Sequence, residues 1–173
     1  MSEGQVHATD IIGVEYMELD MKQTPGGAVL HMLKPDLPIR LPGEEKMQVG
    51  EVYFSEVLPN HVKAWKRHTR QTQHFCVPQG SLGIVLYDTR PDSLSCGALV
   101  KLVLGREDMY GLLRIPKGVW YGFTALGEKP ALICNAVDIP HDPAEGERVE
   151  WTDEKAGFIP FDWKNPDFVR KQA

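Results

Sequence analysis

The densest cluster of chemistry-bearing side chains in this 173-residue chain is the run Lys66-Arg67-His68-Thr69-Arg70. An imidazole can ligate a metal or accept a proton near neutral pH. In an extended run, alternation sends Lys66, His68 and Arg70 to one face and Arg67 to the other. Taken alone, such a basic run is more often a solvated edge than a site. The cysteines Cys76, Cys96 and Cys134 are odd in number and widely spaced, which argues against a disulfide framework and against zinc-finger spacing. Cys134, between Leu132-Ile133 and Ala136-Val137, has the setting of a buried small apolar residue. His7, His31, His61 and His141 have no partner identifiable from sequence, so surface or loop positions are expected for them.

The elements that must position these groups are short strands. Val49 to Leu58, His74 to Pro78, Leu82 to Tyr87, Ala98 to Leu104, Leu112 to Pro116, Gly122 to Leu126 and Ala131 to Val137 are rich in β-branched and aromatic residues. Gly, Pro, Asp or Ser punctuate them. Such spacing predicts an all-β sandwich or small barrel. Upstream, the apolar bursts between Ile11 and Leu33 are broken by Thr24-Pro25-Gly26-Gly27, which predicts two strands and a hairpin-like turn. Residues 34–43 hold three prolines in ten positions and read as an extended arm that could reach over a neighbour. After Asp138 the chain turns polar. Trp151, Phe158, Phe161 and Trp163 then suggest a tail packed over the barrel mouth, with a short helix at 165–171. We therefore expect one domain: N-terminal strands and arm over 1–47, barrel core over 48–137 and tail over 138–173.

Composition removes several function classes. With 42% hydrophobic residues the chain can bury a genuine core, and 24 acidic against 19 basic residues give a net charge of −5. Nucleic acid is an unsuitable partner for that balance, because phosphate neutralisation needs a basic surface. No apolar run is long enough to span a bilayer, and Met1-Ser2-Glu3-Gly4 lacks a signal-peptide plan, so a cytoplasmic location without membrane partners is expected.

The order His68, Gln73, Gly80, then Pro116-x-Gly118-x-x-Tyr121, resembles the two signature motifs of the cupin double-stranded β-helix, a jelly roll whose interior holds the active site. Metal cupins place three histidines and a glutamate where this chain has Lys66, His68, Gln73 and Tyr121. A charged ammonium, an amide and a phenol are poor ligands, so no metal is expected.

A closer resemblance covers residues 48–163. Gly80-x(7)-Asp88-Thr-Arg90-Pro-Asp-Ser93-x-x-x-Gly97, then Leu113-x-Ile115-Pro116-x-Gly118-x-x-x-Gly122-Phe123, then Asp138 through Trp151-Thr-Asp153, is similar to the dTDP-4-dehydrorhamnose 3,5-epimerase family. That resemblance implies a homodimeric cupin that moves protons next to the ketone of a 4-keto-6-deoxy nucleotide sugar, without a cofactor, in deoxysugar or polysaccharide biosynthesis. His68 falls at the family's base and Asp153 at the aspartate that orients it. A buried carboxylate beside an imidazole fixes its tautomer and stabilises its charged form. The position of the family's tyrosine acid holds Cys134, whose thiol is then a candidate acid. Lys66, Arg70, Gln73, Arg114 and Tyr121 are candidate substrate-binding residues, the basic ones toward the diphosphate. Two rival readings remain: a nucleotide-sugar 3,4-ketoisomerase, and a non-catalytic cupin that binds a sugar in its barrel.

Overall fold

The computed structural model describes residues 4–34, 37 and 48–168. In chain order its strands are β1 (Val6–Ala8), β2 (Glu15–Glu18), β3 (Met21–Thr24), β4 (Gly27–Leu30), β5 (Glu51–Val57), β6 (Val62–His68) and β7 (Gln73–Gln79). There follow β8 (Ser81–Asp88), β9 (Leu99–Gly105), β10 (Gly111–Ile115), β11 (Val119–Ala125), β12 (Ala131–Val137), β13 (Gly146–Arg148) and one 3-10 turn, Glu154–Phe158. A six-stranded sheet runs β1-β2-β10-β7-β12-β5, a five-stranded sheet runs β13-β6-β11-β8-β9, and β3 and β4 form a separate hairpin. The pairings are antiparallel throughout the named strands. These two antiparallel sheets are the all-β architecture that the spacing of strands and turns predicts and the jelly roll that the cupin resemblance implies.

Alternation sorts each strand into an inner and an outer face. Phe75, Val77, Leu113, Ile115 and Ile133 from the first sheet meet Leu82, Ile84, Leu86, Val119 and Phe123 from the second in one apolar core. Each fully buried Leu or Ile there contributes about 1.5–3 kcal/mol of transfer free energy. The odd-numbered residues of β5 continue one inner face beyond the apolar zone, and on β6 a register shift against β11 turns both Lys63 and Lys66 to the cavity side. Glu51, Tyr53, Ser55, Lys63 and Lys66 thus stand around a cavity rather than a packed core.

The loop after β8 is rigid for an identifiable reason. Asp88 is fully buried, and its carboxylate accepts bonds from Arg90 Nε and Nη2 at 2.8 Å and from the Ser93 and Ser95 hydroxyls at 2.8 and 2.7 Å. Arg90 also reaches the Ile12 carbonyl at 2.7 Å, tying the N-terminal strands to the barrel. The Asp88 to Gly97 motif is thus a scaffold feature.

Two expectations are corrected. The tail does not cover the barrel mouth: Ala156, Ile159 and Trp163 pack with Trp65, Val85 and Trp120 on the outer face of the five-stranded sheet. The buried indoles and Phe161, with Trp65 and Trp163 centroids 5.3 Å apart, find more apolar surface there than at a polar opening. The expected helix at 165–171 is absent over 165–168, and its remainder lies outside the described residues. Of the arm at 34–43, only Lys34 and Leu37 are described, and Leu37 packs with Met17, Cys76, Tyr110 and Leu112 of its own chain.

Candidate active site

The cavity has a volume of about 600 Å³, within the range of small-molecule sites. One wall is the six-stranded sheet, through Glu51, Tyr53 and Ser55 of β5, Phe75 of β7, and Ile133 and Asn135 of β12. The facing wall is the five-stranded sheet, through residues 62–66 of β6, Lys63, Trp65 and Lys66 among them, Tyr121 and Phe123 of β11, and Arg148 of β13. His141 and Glu150 stand at the rim.

Behind Tyr121 lies His68, only 3% exposed. Its Nδ1 is 2.6 Å from Oε2 of Glu145, and its Nε2 is 3.0 Å from the Tyr121 hydroxyl. The other Glu145 oxygen accepts the backbone N–H groups of Arg70 at 2.6 Å and Gln71 at 2.9 Å. The Thr69 hydroxyl donates to the Glu145 carbonyl, and β13 pairs Gly146 with His68. The turn that ends β6 and the loop that precedes β13 are therefore stitched together by one buried carboxylate.

The electrostatics fix the proton positions. Burial disfavours an ionised Glu145, yet the bonds from Arg70, His68 and Gln71 outweigh it and hold the pKa down at about 2. A carboxylate accepts only, so Nδ1 carries the proton and Nε2 presents a lone pair. Burial also pushes His68 below the ordinary 6.5, against the raising effect of Glu145, and so favours the neutral ring. Tyr121 is driven well above 10 by burial and keeps its proton, which it donates to Nε2.

Lys66 and Arg148 oppose each other directly across β6 and β13. Like charges in that register repel. Burial first, and then Arg148, lowers the pKa of Lys66. Neither side chain makes a hydrogen bond or ion pair with another described residue, so the wall presents two cations without a contact partner to a cavity that Glu51 and Glu150 also line.

Of the residues singled out in the sequence, the structure brings His68, Lys66 and Tyr121 together. Asp153 stands elsewhere: it caps the 3-10 turn, accepting the Lys155 N–H at 2.9 Å, and Glu145 takes the place expected for it. Cys134 faces away from the cavity, because its neighbours Ile133 and Asn135 face in; it opposes Cys76 on the outer side of the sheet. Arg70 points outward into an exposed pair with Asp142 at 2.7 Å and serves the site only through its backbone. Arg114, on the outer face of β10, pairs with Glu15 at 3.0 Å and donates to the Gly13 carbonyl. Gln73 faces inward but sits one layer behind the lining, bonded to Asn135 and Gln71.

Tyr53, Glu145 and Arg148 were not anticipated, and His141, in an exposed loop as expected, also reaches the cavity rim. Alternation along Val49 to Leu58 held the signal for Tyr53. Glu145, inside a polar loop, offered none. Among the described residues no group of three His, Cys, Asp or Glu side chains is placed to hold a metal ion.

Comparison with known proteins adds to this geometry. The family model described as dTDP-4-dehydrorhamnose 3,5-epimerase matches residues 61–171. The chain is 32% identical over 127 residues to the probable low-salt glycan biosynthesis epimerase Agl13 of Haloferax volcanii, covering 73% of this chain and 78% of that one. It is 36% identical over 111 residues to the spore coat polysaccharide biosynthesis protein SpsL of Bacillus subtilis, covering 63% and 73%. The crystal structure of a dTDP sugar isomerase from Desulfovibrio desulfuricans superposes with a TM-score of 0.84 at 48% identity, covering 93% of this chain and 97% of that one.

Proposed function

Since the chain belongs to the dTDP-4-dehydrorhamnose 3,5-epimerase family, an isomerase family, we propose that it epimerises a 4-keto-6-deoxy sugar carried on a nucleoside diphosphate, in the making of a polysaccharide or glycan. The observation that carries this reading is the His68 ring clamped between the Glu145 carboxylate and the Tyr121 hydroxyl at the cavity wall. A proton next to a ketone is acidic enough for an imidazole to remove once the charge formed on the ring is stabilised. Tyr121, which meets the cavity, takes the carbon proton on its oxygen as its own proton passes to Nε2. The C–H electron pair becomes the enolate of the sugar, and the imidazolium is held by Glu145. This chemistry asks for no redox cofactor and no metal.

Lys66 and Arg148 support a diphosphate on the same wall, since two unpaired cations in register are stabilised by a dianion between them. A homodimer is supported by β5, an edge strand of its sheet that exposes Val52 and Phe54 on its outer face. A cytoplasmic location is supported by the three free cysteines, which suit a reducing compartment. Among the described residues no helix is long and apolar enough to cross a membrane.

The test is deuterium uptake from D2O into dTDP-4-keto-6-deoxyglucose, read by mass and by NMR. Uptake at one or two ring carbons with inversion is expected, and it must disappear in His68→Asn. Uptake with carbonyl migration would indicate a ketoisomerase. No uptake with retained dTDP binding would indicate a binding protein.

A further inference from the structure

Inverting a carbon next to a ketone takes a proton from one face of the sugar and returns one to the other. The base wall, His68 behind Tyr121, accounts for half of that. An acid must stand on the opposite sheet. The side chains there are Glu51, Tyr53, Ser55, Phe75, Ile133 and Asn135. Phe75 and Ile133 have no proton to give, and Ser55 is a weakly acidic alcohol. Glu51 is engaged as an acceptor, taking the His141 N–H at 2.7 Å. Tyr53 remains.

The hydrogen bonds around Tyr53 run in one direction because backbone groups fix both ends of an amide chain. The Ile139 carbonyl can only accept, so Gln71 turns its amide nitrogen toward it, at 2.8 Å. Gln71 Oε1 then accepts from Gln73 Nε2 at 2.7 Å, and Gln73 Oε1 accepts from Asn135 Nδ2 at 2.6 Å. At the other end the His74 N–H donates to Asn135 Oδ1 at 3.2 Å, which fixes the same orientation. The second Nδ2 proton of Asn135 goes to the Tyr53 oxygen at 2.8 Å. Tyr53 is thereby an acceptor, and the nearest acceptor for its own proton is Gln73 Oε1 at 3.5 Å, too long for an ordinary O–H···O bond. That proton is free to point into the cavity.

We infer that Tyr53 is the catalytic acid that protonates the enolate on the face opposite His68 and Tyr121, with Asn135 stabilising the phenolate it becomes. The inference rests on the epimerase reading. In the step the Tyr53 O–H bond breaks, the enolate electron pair forms the new C–H bond and the ketone is restored. Water then reprotonates the phenolate and takes the proton left on His68, so the cycle closes without net change. Burial raises the phenol above its usual pKa of 10, against the lowering effect of Asn135, which keeps it loaded at neutral pH.

The experiment compares wild type, Tyr53→Phe and Asn135→Ser as the full chain with dTDP-4-keto-6-deoxyglucose in D2O, following exchange and inversion separately, with dTDP affinity and thermal midpoint as controls. Tyr53→Phe is expected to keep exchange with retention within about 10-fold of wild type while inversion falls by about 10²-fold or more. Asn135→Ser, which leaves the phenol but removes its donor, should slow inversion by about 10-fold and spare exchange. Inversion at wild-type rates in Tyr53→Phe overturns the assignment. So does joint loss of exchange and inversion with intact dTDP binding. Failure of the underlying reading looks different, because wild type itself would then show no exchange.

Discussion

Glu145 and His68 are 77 positions apart in the chain and meet at 2.6 Å with both side chains buried. The same carboxylate holds the Arg70 and Gln71 N–H groups, so one side chain sets the imidazole tautomer and closes the end of β6.

Glu145→Gln cannot serve both duties. If its oxygen faces Arg70 and Gln71, its NH2 faces Nδ1 and forces the proton to Nε2, the wrong tautomer. If it flips, the NH2 confronts two backbone donors. We expect kcat/KM to fall by about 10²–10⁴-fold with the fold retained. In wild type the base must be neutral, and burial places its pKa below 6.5, so kcat/KM should be level at neutrality and decline on the acid side. An acid inflection above pH 7, or a fully active Glu145→Gln, would contradict the assigned dyad.

Acid should weaken the fold through His74, a ring that takes no part in the chemistry. Burial lowers its pKa to about 4, against the Nδ1–H bond to the Ala136 carbonyl. Between pH 6.5 and about 4 the unfolded chain binds a proton that the folded chain refuses, so stability falls as pH falls, by up to about 3 kcal/mol. Urea midpoints at pH 7 and 4.5 should show the loss, and His74→Gln should flatten the pH slope while lowering stability at pH 7. An unchanged slope would reassign the acid sensitivity.

Removing either Lys66 or Arg148 relieves the repulsion between them but takes a charge-assisted bond from the diphosphate. Each alanine variant should weaken dTDP binding about 10- to 100-fold by calorimetry, with a shallower salt dependence, and leave thermal stability unchanged or raised. Affinity equal to wild type in both variants would move the diphosphate elsewhere.

Phe54 is 65% exposed on the outer face of an edge strand. Phe54→Glu should shift the sedimentation of the chain from a dimer toward a 19.5 kDa monomer. A monomeric wild type at micromolar concentration would refute the proposed dimer.

The strands from β7 to β12 were legible because one face is apolar and the pattern is honest about burial. β6 was not, since Lys66 and His68 point inward toward a polar cavity and break the alternation that pattern reading needs. β13, three residues of Gly-Glu-Arg, carries no apolar signal at all. For the site, resemblance located His68, yet it pointed to Asp153 for the carboxylate. A loop carboxylate reaches its partner by the path of the backbone, and neither periodicity nor spacing records that path. Tyr53 was visible as an inward position of a strand, but its role depends on an amide chain contributed by β7, β12 and two loops.

The five-stranded sheet is one layer thick where it bears the base, and the tail's aromatic cluster leans on its far side. Gly122, between Tyr121 and Phe123, has no room for even a methyl group: a Cβ there would collide with Ala64 and lie 2.9 Å from Trp163. The backbone that carries Tyr121 is therefore backed from the far side of the sheet by the Trp163 indole, which lies outside the cavity. The tail thus acts as the mount for the wall that carries Tyr121 and His68.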